Sequence, residues 1–194
     1  MKNKFIIIII LLLILSSCSY KSNEETSNEA LLNDIFRNTY SISLFSFGQI
    51  VQKLSNVKNS DDIYIVKGMI ELYNTQNLRA IPLLLINNLV NVGLYDNTFE
   101  IELGLLYQEK IEFLNLINKL LNSNDNINFL DKYQLEIKKI YEAERNLNDN
   151  RFTKFKTNPE IYYDYINELK KLHLMLQNLN EHLLKLIYSD TELP

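Results

Sequence analysis

The sequence feature that most constrains the fold is a stripe of apolar residues near the end of the chain. These residues are separated alternately by three and four positions: Tyr162, Tyr165, Leu169, Leu172, Leu176, Leu179, Leu183 and Leu186. Because this spacing returns to one side of an α-helix at every step, it predicts a long amphipathic helix. Asn158 is expected to be the N-cap of this helix, and Pro159 its first residue. Ile166, Met175 and Ile187 widen the stripe, which favours a helical bundle over a two-stranded coiled coil.

The same spacing of three and four recurs along most of the preceding chain. It predicts further helices over residues 30–57, 61–74, 78–92, 97–122 and 129–147. No stretch keeps the period-two alternation of a half-buried strand between turn residues, so strands are not expected. We therefore expect an all-α, single-domain helical bundle of about five to seven helices.

Local composition predicts an irregularity in the first helix and a loop before the last one. Ser41, Ser43, Ser46 and Gly48 lower the helix propensity in the middle of the first segment, which favours a kink or a break there. The turn residues within the polar segment 148–158 are accompanied by Phe152 and Phe155, which we expect to attach that loop to the bundle.

Helix ends and the buried centre can also be assigned from the sequence. Ser60 is expected to cap the second helix, and Asn97 with Glu100 three residues later has the spacing of a capping box. The segment 78–92 is apolar almost all round, so it is predicted to be the central, most buried helix and to end at Gly93.

The beginning of the chain has a different pattern. Lys2 and Lys4 precede an uninterrupted apolar run from Phe5 to Leu15. As a helix this run would be about 16 Å long, roughly half of a ~30 Å hydrocarbon core. It is therefore too short to cross a membrane, and its basic start and small closing residues are typical of a secretory signal peptide.

The residues Leu15-Ser16-Ser17-Cys18 resemble the lipobox of bacterial lipoproteins, in which Leu and two small residues precede a cysteine. The resemblance implies recognition by a signal peptidase, cleavage before Cys18 and attachment of acyl chains, including palmitate-type chains, to Cys18. Cys18 is the only cysteine, so no intramolecular disulfide is available to explain it. An ordinary secreted protein and an uncleaved anchor remain the alternatives. Since Ser19 rather than Asp follows the cysteine, the resemblance implies the outer membrane in a Gram-negative envelope.

This reading divides the chain into three parts. Residues 1–17 would be the cleaved signal peptide, residues 18–29 the lipidated cysteine with a polar, flexible tether, and residues 30–194 the helical domain. The full chain has a formal charge of −4, and removal of Lys2 and Lys4 leaves −6 (−4 − 2). Lys and Arg form no dense stripe, so a nucleic-acid partner is not expected.

Few residues in the chain are suited to catalysis or metal binding. His173 and His182 would lie on one helix, and their separation of nine positions is about half a turn, so they cannot share a metal ion. Glu109 and Glu112 share a helix face, but together with Lys110 they are more simply a solvated face. No nucleophile elbow or phosphate-binding loop is present. We expect no catalytic residue, no metal and no cofactor.

Three residues of the last helix are candidates for an interaction surface. Tyr163 lies beside the core residues Tyr162 and Tyr165 and should be exposed, and exposed tyrosines favour recognition. Leu174 and Leu184 lie off the apolar stripe and could mark either a second packed face or a partner site.

The sequence thus predicts a lipid-anchored protein of the bacterial cell envelope that acts as a non-enzymatic protein-interaction module. A host-facing binder, an immunity or exclusion lipoprotein and an envelope assembly factor are the alternatives within this class. A second possibility is a carrier of a small molecule or lipid, with an apolar cavity around residues 83–89. An enzyme would require buried Glu, Tyr and His side chains that converge with shifted pKa values.

Overall fold

The computed structural model describes residues 2–76, 78, 80–122, 128–147, 149–155 and 157–189, with side chains from Asn28 onward except at 149, 150, 153 and 189. The elements are α1 (Lys2–Leu54), α2 (Ser60–Thr75), α3 (Ala80–Asn91), α4 (Asn97–Leu121), α5 (Asn128–Asn146), a 3₁₀-helix (Asp149–Lys154) and α6 (Pro159–Ser189). No strand occurs within the described residues. The prediction of an all-α helical bundle is confirmed.

The chain forms two compact units, Met1–Ile35 and Phe36–Pro194. The first unit consists of the beginning of α1, which includes the residues expected to form the signal peptide and the tether. The side chains of the lipobox, Leu15-Ser16-Ser17-Cys18, lie outside the described residues, so cleavage and lipidation stay predictions. Among the described residues, no helix combines the length and the apolar character needed to cross a membrane.

The second unit is built around α4, residues 36–54 of α1, and α6. Helices α4 and α6 pack together most extensively. Helices α2 and α3 pack on α4, and α5 and the 3₁₀-helix pack on α6. The stripe predicted for α6 is confirmed, since six of its eight residues are buried: Tyr165, Leu169, Leu172, Leu176, Leu179 and Leu183. Tyr162 and Leu186 at its two ends are half-buried.

The kink or break predicted in the first helix is not observed as a break, because α1 continues as one α-helix to Leu54. Ser43 is fully buried, and its hydroxyl forms a hydrogen bond of 3.1 Å with the hydroxyl of Tyr73 in α2. Phe47 and Ile50 are buried on the same helix. Tertiary packing therefore outweighs the low helix propensity of this stretch.

Two predicted N-caps are wrong by one residue. Asn59, not Ser60, caps α2, and Asp96, not Asn97, caps α4 by accepting a hydrogen bond of 2.9 Å from the backbone N–H of Phe99. In each case the residue before the predicted cap also has a suitable side chain and adopts the extended backbone that an N-cap requires.

Two other predicted helix ends are confirmed. The side chain of Asn158 accepts a hydrogen bond of 3.1 Å from the backbone N–H of Glu160 at the start of α6. Gly93 follows α3 with a φ of +74°, the left-handed conformation that favours glycine, and the N–H of Leu94 donates to the carbonyl of Leu89 over 2.9 Å.

The loop before α6 is attached to the bundle by aromatic side chains, as predicted. Phe152 is buried, and its ring centroid lies 5.4 Å from that of Tyr40 and 5.1 Å from that of Tyr165. Phe155 lies 5.3 Å from Tyr165. The hydroxyls of Tyr40 and Tyr165 form a buried hydrogen bond of 2.6 Å, which joins α1 to α6 beneath the loop.

The prediction that α3 is the central helix is wrong. Pro82, Ile86 and Leu89 are buried, but Leu84 is 69% exposed and Ile81 is 41% exposed. The helix packs mainly on α4, so a single stripe of its apolar surface is covered. An all-round apolar sequence indicates a buried helix only when neighbouring elements surround it, and here they do not.

Candidate functional site

One candidate site on the surface is an apolar groove between α3 and α4, which we call the α3–α4 groove. Its volume is about 660 Å³. The described residues that line it are Ala80 and Leu83 from α3 and Gly104, Gln108, Ile111, Glu112, Asn115 and Leu116 from α4. Among these residues Glu112 is the only one with a charged side chain.

Exposed apolar side chains extend the groove along both helices. Leu84 is adjacent to the lining residue Leu83, and Ile101 and Leu105 lie seven and three positions before the lining residue Gln108, on its face of α4. All three are exposed, Leu84 to 69% and Ile101 to 58%. Contiguous apolar surface of this kind is typical of a binding region rather than of isolated surface residues.

The groove has a defined geometry because α3 and α4 are held together by polar contacts at their solvent edge. The side-chain amide of Asn87 on α3 donates to the carboxylate of Glu100 on α4 over 2.9 Å, and within α3 the side chain of Asn91 donates to that of Asn87 over 3.2 Å. Glu100 therefore binds the neighbouring helix and does not complete the capping box predicted with Asn97. A Cβ atom at Gly104 would meet no atom within 4 Å, so the groove floor has room for a larger side chain.

The three surface residues predicted on α6 do not form one patch. Tyr163 is 64% exposed, Leu174 is also exposed and Leu184 is half-buried. They lie within about 80° of one another around the helix, but Tyr163 and Leu184 are about 30 Å apart along its axis. Exposed Lys170 and Glu181 lie on the same face between them. Their role in binding stays a prediction, and the α3–α4 groove is the more contiguous apolar surface.

A second cluster lies inside the bundle, around Lys110 of α4. This side chain is fully buried, and its Nζ atom lies 4.6 Å from the ring centroid of Tyr107, 4.7 Å from Phe47 and 5.7 Å from Tyr73. Three aromatic faces therefore surround the ammonium group in a cation–π arrangement. Nζ has no hydrogen-bond acceptor among the described residues.

Glu144 of α5 is a buried acidic side chain whose charge acts on Lys110. It is 5% exposed, and its carboxylate lies against the backbone of α1 at Gly48. A Cβ atom at Gly48 would lie 2.8 Å from Cδ and 3.1 Å from Oε1 of Glu144, so a glycine is required for this approach. The Glu144 side chain thus joins α5 to α1 in the core.

Burial shifts both groups of the pair toward their neutral forms. It lowers the pKa of Lys110 to about 7, although attraction to Glu144 opposes the shift. It raises the pKa of Glu144 to about 7, against the opposing charges of Lys110 and Arg145. The opposite charges of the two groups act on one another and oppose both shifts. Burial also raises the pKa of Tyr107 well above its ordinary value.

The chemistry available to this cluster is limited by its burial. A lysine whose pKa is near 7 can act as a nucleophile or a base when a substrate reaches it. The three rings and Glu144 instead cover Lys110 completely. In this structure the Lys110 amine therefore cannot contact an external substrate.

The buried pair overturns the interpretation of Lys110 as part of a solvated face. The sequence contains a signal for its burial, because Lys110 follows the spacing of three and four that defines the core side of α4. The residues with this spacing are Leu103, Tyr107, Lys110, Leu114 and Ile117. The flanking acids also differ from the prediction. Both Glu109 and Glu112 are half-buried, and the Glu109 carboxylate accepts a hydrogen bond of 2.8 Å from Asn180.

The two histidines lie apart on α6, as their spacing predicts. His182 is exposed and stacks beside the Tyr133 ring at 6.3 Å between centroids, whereas His173 is half-buried. Within the described part of the chain, no group of three or more His, Cys, Asp or Glu side chains is placed to hold a metal ion.

Comparison of the chain with protein-family models, with curated proteins and with solved structures finds no match.

Proposed function

We propose that the chain is a lipid-anchored protein of the bacterial envelope that acts as a non-enzymatic protein-interaction module, with the α3–α4 groove as its docking surface. The anchor is supported by the lipobox-like residues Leu15-Ser16-Ser17-Cys18. Two or more acyl chains give a stable membrane attachment where a single chain gives a marginal one. The docking role rests on the groove itself, an apolar surface that no described element of the bundle covers.

The occupant that fits this groove is a helix of a protein partner. Gly104 and Leu116 are twelve positions apart on α4, so the groove is about 18 Å long, enough for about three turns of a helix. An amphipathic helix places apolar residues into such a groove at intervals of three and four. Because Glu112 is the only charge among the described lining residues, the partner helix should place a Lys or Arg opposite it.

A carrier of a lipid or small molecule is the second candidate. It is favoured by the volume of about 660 Å³, which lies within the range of small-molecule sites, and by the mainly apolar lining. The open side of the groove, where Leu84 is 69% exposed, favours the protein partner, since a carrier site usually encloses most of its ligand.

Site-specific photocrosslinking in intact cells of the source organism distinguishes these candidates. A photoreactive residue at position 84, next to the lining residue Leu83, samples the edge of the groove. One at Tyr64 on α2 is the control, because Leu84 and Tyr64 have nearly equal exposures of 69% and 71%. We expect a discrete protein adduct from position 84 that is absent from position 64.

A blocking variant makes the test specific for the groove. Gly104→Trp fills the groove floor, where a Cβ meets no atom within 4 Å, and should abolish the adduct. Gly68→Trp on α2 is the matched control, since a Cβ at Gly68 is equally unobstructed, and should leave the adduct intact. A lipid or small-molecule adduct at position 84 would support the carrier instead. Equal labelling from positions 84 and 64 would contradict both functions.

A further inference from the structure

The outward side of α1 over residues 38–52 lacks the charged side chains that usually cover a surface helix. No Asp, Glu, Lys or Arg occurs between Arg37 and Lys53. On this side Ile42 is 53% exposed and Phe45 is 62% exposed. Because a helix at a protein surface usually places charged and polar residues outward, an uncharged outward side with large apolar residues indicates an interaction surface.

Helix α2 lies beside this part of α1 and runs in the opposite direction. The hydroxyls of Ser43 and Tyr73 form a hydrogen bond of 3.1 Å near the end of α2. The Lys53 amine lies 2.6 Å from the Asp62 carboxylate near the start of α2. These two contacts fix the levels at which the two helices face one another, so Phe45 of α1 lies close to the last turns of α2.

The apolar surface continues from α1 onto α2. A groove of about 150 Å³ lies between the two helices, and none of its described lining residues is charged. Leu72 lines this groove and is 55% exposed, and Ile65, seven positions earlier on the same side of α2, is 51% exposed. We call this surface the α1–α2 face and define it as Ile42, Phe45 and Gln49 of α1 with Ile65, Leu72 and Gln76 of α2.

The chemistry of the α1–α2 face favours a protein over a lipid surface. Its apolar side chains are accompanied by the amides of Gln49 and Gln76, and an amide buried in hydrocarbon without a hydrogen-bond partner is costly. Between proteins the amides can be paired. The outward residues of α1 are also separated by four, three, four and three positions, which is the spacing of a seam between paired helices. These residues are Asn38, Ile42, Phe45, Gln49 and Gln52.

We propose that the α1–α2 face is the interface of a homodimer, in which it packs on the same face of a second copy. In a two-fold symmetric interface each chain presents one and the same patch, so a charged residue near the axis would meet its own charge. The uncharged lining of the groove avoids this repulsion. An amide has both a donor and an acceptor, so Gln49 and Gln76 can pair with the amides of a second copy.

The composition of the face also agrees with a dimer interface. Protein interfaces have an apolar core that is depleted of charge and contains aromatic residues, with a polar rim around it. Phe45, Ile42 and Leu72 supply such a core, and the amide side chains supply the rim. Because each chain contributes two antiparallel helices, the pairing gives a four-helix arrangement, which is a common way to bury apolar helix faces.

The dimer does not depend on the docking function proposed above. No described residue lines both the groove of the α1–α2 face and the α3–α4 groove. The pairing also requires neither the lipid anchor nor the protein partner. The two proposals can therefore fail separately.

Photocrosslinking of the full chain in intact cells that express it tests which molecule covers the face. p-Benzoylphenylalanine at position 45 replaces one aromatic side chain by another, and the same residue at Tyr163 on α6 is the control. Phe45 and Tyr163 have nearly equal exposures of 62% and 64%. We expect an adduct of twice the chain mass from position 45 and none from position 163, with the crosslinked peptide of the second copy within the α1–α2 face.

The other outcomes of this experiment would overturn the proposal. They are a lipid adduct or an adduct with a different protein at position 45 in place of the doubled chain, the absence of any adduct there, and a doubled mass in equal amounts from both positions. The last result would show that the chains meet only by random collision.

Charged substitutions test whether the face holds the dimer together. Phe45→Glu and Leu72→Glu each bring two like charges near the interface, so each should raise the dimer dissociation constant by at least about a hundredfold. Tyr163→Glu is the control at an equally exposed position and should leave this constant unchanged. Light scattering of the full chain in a mild non-ionic detergent, over a series of protein concentrations, measures the mass of each variant.

Circular dichroism of the same samples should show equal helix content, because all three substitutions lie at exposed positions. A wild type that has the mass of one chain at every concentration would overturn the proposal. Dimers that persist in both Phe45→Glu and Leu72→Glu would overturn it as well.

Discussion

Substitution of Gly48 tests the packing of Glu144 against α1 most directly. Gly48→Ala places a Cβ 2.8 Å from Cδ and 3.1 Å from Oε1 of Glu144, closer than ordinary van der Waals contact. The Glu144 carboxylate must therefore move away, and because it is 5% exposed it has little free space in which to move. The movement weakens its attraction to Lys110.

The two energetic effects of this substitution have opposite signs. Alanine in place of glycine within a helix stabilises by about 1 kcal/mol. Forcing extra atoms into a packed core costs about 1–3 kcal/mol, and the upper end of this range applies because Glu144 is 5% exposed. We expect Gly48→Ala to destabilise the fold by about 2 kcal/mol.

A double-mutant cycle separates these effects. In a Glu144→Ala background the obstruction is gone, so the same Gly48→Ala change should stabilise by about 1 kcal/mol, and the sign of the effect reverses. Urea denaturation followed by circular dichroism at each corner of the cycle measures this coupling of about 3 kcal/mol. Gly68→Ala on α2 is the control, because its Cβ meets no atom within 4 Å, and it should stabilise about equally in both backgrounds. An identical effect of Gly48→Ala in the two backgrounds would refute the reasoning.

Two further predictions concern the anchor and the core. Cys18→Ala should release the chain from the membrane fraction and leave the signal peptide uncleaved, as measured by cell fractionation and mass spectrometry; a variant that is processed and stays in the membrane as wild type would exclude the lipid anchor. Tyr165→Phe removes the 2.6 Å hydrogen bond to the buried Tyr40 hydroxyl and should destabilise by about 1–3 kcal/mol, whereas adding Tyr40→Phe should recover part of this loss. Tyr163→Phe, at a side chain that is 64% exposed, should leave the urea midpoint unchanged, and an equal loss from Tyr163→Phe and Tyr165→Phe would argue against the buried hydrogen bond.

The helices and most of the core could be predicted from the sequence, because the spacing of apolar residues depends on local helix geometry. The α6 stripe is the clearest case, because its spacing of three and four persists over the whole helix. The same spacing includes Lys110 and Glu144 on the buried sides of α4 and α5. The charge of Lys110 favoured a solvated face, but its position within the apolar stripe is the stronger indicator of burial.

Other parts of the site depend on contacts that one sequence does not reveal. Gly48 and Glu144 are 96 positions apart (144 − 48), and nothing in their local sequence connects them. The glycine was instead interpreted as a weak point of α1. Only the packed structure shows that the missing side chain provides space for a carboxylate.

The α3 helix shows why apolar composition and burial have to be considered separately. Every residue from Ala80 to Ile86 is apolar, yet folding covers one side of the helix and leaves Leu84 69% exposed. Substitutions at exposed positions usually change stability by no more than about 0.5 kcal/mol, so an apolar side chain there is not needed for folding. The same holds for exposed Ile101 across the groove on α4. The bundle therefore does not account for the apolar surface on both sides of the α3–α4 groove, whereas a helix of a protein partner would.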